Sequence, residues 1–440
     1  MTSSEEVDDE DAAAAHLRRP RRSVDAPMSV IERGWVGYYR RVGARWRGEE
    51  PGGLDLRLVT LAMGLTVVCT MPLWLVGALS VQMRADLGYS IVALGGAVAL
   101  QRVGGAALSL PLGRLADRLG PTPAMRVAAV LAALAALGIA ALVDSFGALA
   151  AFLLLSGAAN ALGQTAANLA LVRAVPSTRQ GMAFGIKQSA LPIGSLIAGL
   201  TVPVLALTVG WRWGFVLAGV LSLLVLVSVP RGRSERYRRP DGVTNRLSRR
   251  GPLLILGIAL FFGMSAATGL TTFIVESSTD AGFSPALAGL LLTVGSACSI
   301  VTRLVAGRRA DRRGGRHLIT VARMQLAGAV GLVLIAVGHP VLIVVGVVLA
   351  FSFAWGFNGV FWFAIVRLSP ATPAAASGTV MPAGMLGGVA GPLLFGWVVE
   401  TYGFTAAWLT AAGWSLSAGL LMLLGRRILA ASLAPAEQPR

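Results

Sequence analysis

The sequence predicts an all-α integral membrane protein with twelve transmembrane helices in two pseudo-symmetric six-helix bundles. Three observations support this fold class: the apolar composition, the length of the apolar runs, and an internal repeat that relates the two halves. Of the 440 residues, 55% are hydrophobic and only 13% are charged. One soluble core cannot bury that much apolar surface, so lipid must be the solvent for most of the chain.

The apolar runs have the length of helical spans. Leu58 to Leu79, Ile91 to Leu112 and Leu253 to Val275 each approach the roughly 20 residues that a transmembrane helix needs. They are continuously apolar rather than alternating, which excludes a β-barrel. The predicted spans are 57–80, 91–112, 123–143, 147–172, 182–207, 211–229, 252–276, 284–305, 317–337, 340–366, 377–399 and 404–425.

The basic residues predict the orientation in the bilayer. The net charge of +17 is concentrated in short loops, which argues against a nucleic-acid partner. Eight arginines lie between Pro230 and Arg250, and five more lie between Arg308 and Arg316. Because basic loops stay on the cytoplasmic side, we expect a multi-pass protein of the cell membrane with both termini in the cytoplasm.

The same pattern divides the chain. We expect a cytoplasmic tail over 1–55, a six-helix half over 56–229, a basic cytoplasmic linker over 230–251, a second six-helix half over 252–426 and a cytoplasmic tail over 427–440. The first tail is partly disordered in composition. Its apolar residues between Ile31 and Trp46 recur at helical spacing, which fits either an interfacial helix or a loosely ordered basic segment.

An internal repeat supports the division into halves. The stretch from Gly113 to Gly120 reads Gly-Arg-Leu-Ala-Asp-Arg-Leu-Gly, and the stretch from Gly307 to Gly314 reads Gly-Arg-Arg-Ala-Asp-Arg-Arg-Gly. Six of the eight positions coincide. At nearly the same offset, Gly181, Gly194, Gly199 and Trp211 match Gly378, Gly391, Gly396 and Trp408.

This pair of stretches resembles the signature of the major facilitator superfamily, and the resemblance covers the whole chain. The first copy departs from the pattern where Pro121 and Thr122 replace the usual basic pair, whereas the second keeps Arg316. The resemblance implies secondary transport by alternating access. It also implies two gating loops, with plain loop anchoring as the alternative role. Their residues are Gly113, Asp117, Arg118 and Gly120 in the first loop and Gly307, Asp311, Arg312 and Gly314 in the second.

In the resembled fold, the first, fourth, seventh and tenth spans line a central cavity, and all four carry polar side chains at helical spacing. Serines and threonines there can instead join helices to one another. Three carboxamides on one face of the fourth span are harder to explain without a polar cavity. The candidate substrate-binding residues from these helices are Asn160, Gln164, Asn168, Thr272, Glu276, Trp355, Asn358 and Trp362.

Arg102 and Lys187 complete the candidate site. Arg102 lies eleven positions before Gly113, hence about 16 Å deeper along a helix and near the middle of the bilayer. No acidic residue lies at that depth, so the arginine binds either an anionic ligand or helix carbonyl groups. Lys187 and Arg303 lie closer to the cytoplasmic ends of their spans, where they can also snorkel to lipid phosphate.

The sequence therefore predicts a secondary transporter of a small organic or inorganic anion. The alternatives are a multidrug exporter, with Trp355, Phe361 and Trp362 as a loose apolar pocket, and a non-transporting membrane sensor. An enzyme is not expected, because the three histidines do not cluster, and neither a metal site nor a cofactor is indicated. The expected partners are a small-molecule substrate, the lipid bilayer and a coupling ion, with proton coupling open through Glu276; we expect a monomer.

Overall fold

The computed structural model describes residues 56–175, 183, 186–230, 250–312, 317–368 and 373–431. Every regular element within these ranges is a helix, which confirms the all-α prediction. The proposed interfacial helix, most of the basic linker and the end of the C-terminal tail lie outside the described residues.

The helices that precede residue 231, called here the N-terminal helices, follow the predicted apolar runs. Ser90 and Ser145 each cap a helix by accepting a hydrogen bond from a backbone N–H three residues on. The helices are α1 Leu56–Ala78, α2 Ser80–Leu87, α3 Ile91–Leu119, α4 Pro121–Leu142, α5 Phe146–Ala174, α6 Ala190–Thr201 with a π-helical extension Val202–Ala206, and α7 Arg212–Ser228.

The helices that follow residue 249 are called the C-terminal helices. They are α8 Arg250–Asp280, α9 Pro285–Arg312, α10 His317–Ala336, α11 Pro340–Leu349, a π-helical segment Ala350–Trp355, α12 Asn358–Leu368 and α13 Pro373–Ala431. Inside α13, Gly403 has non-helical torsion angles (φ 83°, ψ 173°) and divides the helix in two. The positive φ favours glycine, and the break lies in the predicted gap between 399 and 404.

Within the described ranges, ten helices are long and apolar enough to cross a membrane. The ten include α13, which is counted once although Gly403 breaks it. They do not include α7, which is apolar but shorter. The structure thus supports a multi-pass membrane protein, whereas the number twelve and the six-plus-six division stay predictions.

The predicted gating loops are helical over most of their length. Gly113, Asp117 and Arg118 lie in the last two turns of α3, and only Gly120, with φ 82°, lies in the turn. In the second copy, α9 likewise includes Gly307 and continues to Arg312, whereas Gly314 is outside the described residues. The expectation of loops was wrong here, because arginine, leucine and alanine favour helix and extend it beyond the apolar span. We call this end of the protein the motif end and the opposite one the far end.

The buried apolar residues show where the two sets of helices meet. At the motif end, the N-terminal helices pack around Leu65 and Leu162, and the C-terminal helices pack separately around Leu260 and Phe361. Toward the far end, one common core contains residues of both sets, among them Trp74. The two sets of helices are therefore joined at the far end and keep separate cores at the motif end.

Candidate functional site

Close helix contacts join the two sets of helices at the far end. A Cβ atom on Gly95 of α3 would lie only 2.2 Å from the carbonyl oxygen of Pro392 in α13, so this contact requires glycine. Glu400 of α13 accepts a hydrogen bond from the backbone N–H of Val92 at 3.1 Å. In addition, the Ser296 hydroxyl of α9 donates to the Ser195 hydroxyl of α6 at 3.0 Å.

Glu276, a predicted cavity residue, belongs to this closed far end. Its Oε1 atom pairs with the Nη1 atom of Arg84, which links α8 to α2. Arg84 also donates through Nε to the carbonyl oxygen of Tyr89 at 3.2 Å, while the buried Glu276 Oε2 has no partner among the described residues. The pair lies in an open recess whose lining includes Thr279, Asp280 and Phe404.

The three carboxamides on one face of α5, those of Asn160, Gln164 and Asn168, lie beside a buried lysine. Lys187 is 1% exposed, and its ammonium group donates to Gln164 Oε1 and, at 3.0 Å, to Asn168 Oδ1. Gln164 Nε2 in turn donates to Asn160 Oδ1 at 3.4 Å. The structure therefore brings four predicted site residues into one network, and the snorkelling alternative does not hold for Lys187.

Arg102 lies at the middle of α3 and faces α13. A Cβ atom on Gly388 would lie 3.2 Å from its Nη1 and 3.3 Å from its Cδ, so the guanidinium rests against a glycine surface of the C-terminal helices. Its Nε is buried without a hydrogen-bond partner, and neither a carbonyl group nor a carboxylate within the described ranges binds the side chain. The alternative of an arginine bonded to helix carbonyls is therefore not what the structure has.

Arg303 is a functional candidate that the sequence interpretation underrated. It does not snorkel toward lipid; its Nη2 donates to the carbonyl oxygen of Trp355 at 3.1 Å, and its guanidinium lies 5.3 Å from the centre of that indole ring. Trp355 in turn contacts Trp74 of α1, with ring centroids 5.5 Å apart. The signal available in the sequence was an arginine two residues before the end of its predicted span, 284–305.

The other polar residues of these spans make weaker or local contacts. In α1 and α8, Thr66, Thr70 and Thr268 each donate to a carbonyl oxygen four residues earlier in the same helix, so their hydroxyl groups are satisfied locally. Thr272 is buried in α8. Asn358 approaches Met264 Sδ at 3.2 Å, and Trp362 packs against Phe361.

At the motif end, Asp117 is half-buried and makes no hydrogen bond or ion pair with any residue that the structure describes. Gly113 and Gly307 likewise have open space where a Cβ would stand. Among the residues that the structure describes, Asp117 is thus in helical register without a partner in the opposite set of helices, and Gly113 and Gly307 have room for a Cβ.

Comparisons with known proteins agree with this architecture. The family model of the Major Facilitator Superfamily matches residues 61–383. An uncharacterized MFS-type transporter of Mycobacterium tuberculosis is 28% identical over 321 residues, which is 70% of this chain and 71% of the relative. The probable nitrate/nitrite transporter NarK2 of the same species is 28% identical over 355 residues, covering 77% of this chain and 88% of NarK2.

Solved structures share the fold at low sequence identity. A bacterial homolog of the human lysosomal transporter Spinster, in an inward-facing and occupied conformation, superposes with a TM-score of 0.70 at 14% identity, covering 88% of this chain and all of that one. A D-xylose-proton symporter gives a TM-score of 0.68 at 15% identity, with 84% and 97% covered. The family match spans more than half of the chain, and the multi-pass helical fold agrees with it, so this protein belongs to the Major Facilitator Superfamily of transporters.

Proposed function

We propose that this protein is a secondary transporter that moves a small anion across the cell membrane by alternating access. In this proposal α7 and the two parts of α13 each count as a span, which makes twelve in six-plus-six arrangement with both termini in the cytoplasm. The observation that carries the anion assignment is the half-buried Arg102 at the middle of α3, whose buried Nε has no acceptor among the described residues.

The charges of the interior support an anionic substrate. Arg102, Lys187 and Arg303 lie on three different helices, and within the described ranges none has a carboxylate partner. An isolated cation in a low-dielectric interior is costly unless it meets a counter-charge. A bound anion supplies that counter-charge, and a neutral sugar or a cation does not.

The helix packing supports alternating access. One common core at the far end and two separate cores at the motif end correspond to a state that opens toward the motif end. With the orientation that the basic loops predict, that state is inward-facing. The unpaired Asp117 agrees with this assignment, since the family signature pairs with a neighbouring helix in the outward-open state.

NarK2 provides independent support for the substrate class. It matches most of this chain and is named for nitrate and nitrite, which are small inorganic oxyanions. The multidrug alternative is less well supported, because Trp355 and Phe361 are packed into cores and do not form a loose apolar pocket.

The test is exchange of labelled nitrate or pyruvate in proteoliposomes that contain the purified protein. We expect saturable exchange by the parent protein, and Arg102→Gln should reduce the affinity for the anion at least tenfold, with Arg102→Lys intermediate. Arg309→Gln is the matched control, because Arg309 is exposed at the motif end. If the parent exchanges neither anion, or if Arg102→Gln exchanges both normally, the proposal is wrong.

A further inference from the structure

The network that joins three carboxamides of α5 to Lys187, just before α6, has a composition that the anion-binding role alone does not explain. Lys187 is one of the largest fully buried side chains of the protein, and its described hydrogen-bond partners are two amide oxygens. An ammonium group has three N–H donors, so two are used and one is left. A buried lysine elsewhere normally has a carboxylate beside it.

The surrounding helices supply no such carboxylate. The sequences of α1, α4, α5, α6 and α7 contain neither Asp nor Glu. The titratable group that faces Lys187 from a neighbouring helix is the thiol of Cys69 in α1, which is buried and donates toward the carbonyl oxygen of Ala128 at 3.9 Å. Among the described residues, the groups that contact Lys187 are therefore neutral and polar.

Carboxamides have a property that carboxylates lack. Each carries an acceptor oxygen and a donor NH2 on one planar group, and a half-turn of the amide exchanges the two. The Gln164 oxygen accepts from the ammonium form of Lys187, and after the half-turn its NH2 donates to the lone pair of the neutral amine. Asn160, which now accepts from Gln164 Nε2, follows by turning its own amide. The network can thus provide hydrogen-bond partners for Lys187 in both of its protonation states.

From this arrangement we infer that Lys187 is a proton-binding site that couples transport to protons, with the carboxamides of Asn160, Gln164 and Asn168 serving both of its states. The inference rests on the proposed anion transport and names its coupling ion. The N–H bond of the lysine forms when the anion binds and breaks when the anion leaves, and the proton exchanges with water.

The net charge of the interior agrees with this role, both when the carrier moves with the anion bound and when it returns without it. Arg102 remains charged in all states. With an anion bound and Lys187 protonated, the interior carries the same net charge as with no anion and a neutral lysine. A bound anion and a bound proton therefore raise each other's affinity, as thermodynamic linkage requires. The carrier then moves one anion together with one proton.

The experiment compares two modes of transport in the same proteoliposomes. Exchange of labelled nitrate or pyruvate at equal pH on both sides needs no net proton movement, whereas accumulation driven by a pH gradient does. We expect the parent protein to perform both. Each variant is scored by the ratio of gradient-driven accumulation to its own exchange rate. Gln164→Glu, which is isosteric and places a carboxylate beside the ammonium, should lower that ratio at least tenfold, since the proton is held on the lysine.

Lys187→Arg should have the same effect, because an arginine stays protonated. Gln188→Glu makes the same chemical change at the exposed neighbouring position and should leave both modes unchanged. Retained exchange shows that a variant is folded. The inference is overturned if the parent exchanges an anion but a pH gradient drives no accumulation, or if both variants accumulate it like the parent. A parent that exchanges neither anion overturns the proposed function, and this inference with it.

Discussion

Arg84 and Glu276 lie 192 positions apart in the sequence and form an ion pair that connects α2 to α8 at the far end of the protein. Their side chains are 27% and 10% exposed, so the pair is partly shielded from water. It connects an N-terminal helix to a C-terminal one, and it must break if the far end opens. The pair therefore contributes to the stability of the far-end-closed state and of no other.

Glu276→Gln should shift the protein toward the far-end-open state. Loss of a partly buried pair removes on the order of 1 kcal/mol from the closed state, hence about a fivefold change in the ratio of the two states. Double electron–electron resonance between spin labels on Asp144→Cys and His339→Cys, with Cys69 and Cys298 replaced, would measure the distance between the N-terminal and C-terminal helices at the far end.

Asp86→Asn is the control for that measurement. Asp86 faces Arg212 at 3.6 Å and accepts from the indole N–H of Trp211 at 2.6 Å, and all three residues belong to the N-terminal helices or the turn before α7. Removing this carboxylate should leave the distance distribution unchanged. An unchanged distribution for Glu276→Gln as well would contradict the gating role of the pair.

Gly95→Ala should obstruct closure of the far end, because the added Cβ would stand 2.2 Å from the carbonyl oxygen of Pro392. Relief of such overlap by backbone shifts costs about 1–3 kcal/mol, so we expect transport to fall roughly tenfold and α3 to move away from α13. Gly96→Ala is a close control on the same helix, since a Cβ there meets nothing within 4 Å. Equal transport by the two variants would rule out the α3–α13 contact as part of the cycle.

Asp117→Asn should slow transport without destabilising the state described here. The carboxylate has no partner in this state among the residues that the structure describes, so its removal takes away no interaction seen there. If it pairs only when the motif end closes, the variant loses stability in that state alone, and a cysteine introduced into a motif-end surface that closure buries should become more accessible to a polar thiol reagent. Transport at the parent rate would leave Asp117 as a simple helix-end residue.

Arg303→Gln should weaken anion binding and change the fluorescence of Trp355. The guanidinium is bonded to the Trp355 carbonyl and lies over its ring, while its Nε is buried without a partner. We expect roughly a tenfold loss of nitrate affinity, the equivalent of about 1.4 kcal/mol, measured by quenching of tryptophan fluorescence. Arg309→Gln should bind like the parent, and a normal affinity for Arg303→Gln would remove Arg303 from the site.

Much of the fold could be predicted because its signals are local. A helix in lipid needs a long apolar run, and the break at Gly403 falls where the hydropathy pattern is interrupted. The motif stretches were harder, since a Gly-Asp-Arg pattern does not reveal whether a helix continues through it. There the apolar run ends near Leu112, but the backbone remains helical to Leu119.

The candidate site was predictable in composition but not in its pairings. Arg102, Lys187 and the α5 carboxamides are conspicuous because polar groups are costly in hydrocarbon. The sequence offered no way to tell that Glu276 pairs with Arg84, or that Arg303 turns toward Trp355 52 positions away. Such contacts depend on how two helices cross and rotate about their axes.

The sequence by itself determined the solvent of this protein, the positions of most helices and its family, because apolar length, basic loops and a duplicated signature are properties of short segments. Only the tertiary structure decided which end of the protein is closed and which charges have partners. Lys187 shows the physical reason: its charge is costly wherever it is buried, but whether a carboxylate or a carboxamide meets it depends on how the segment just before α6 lies against α5.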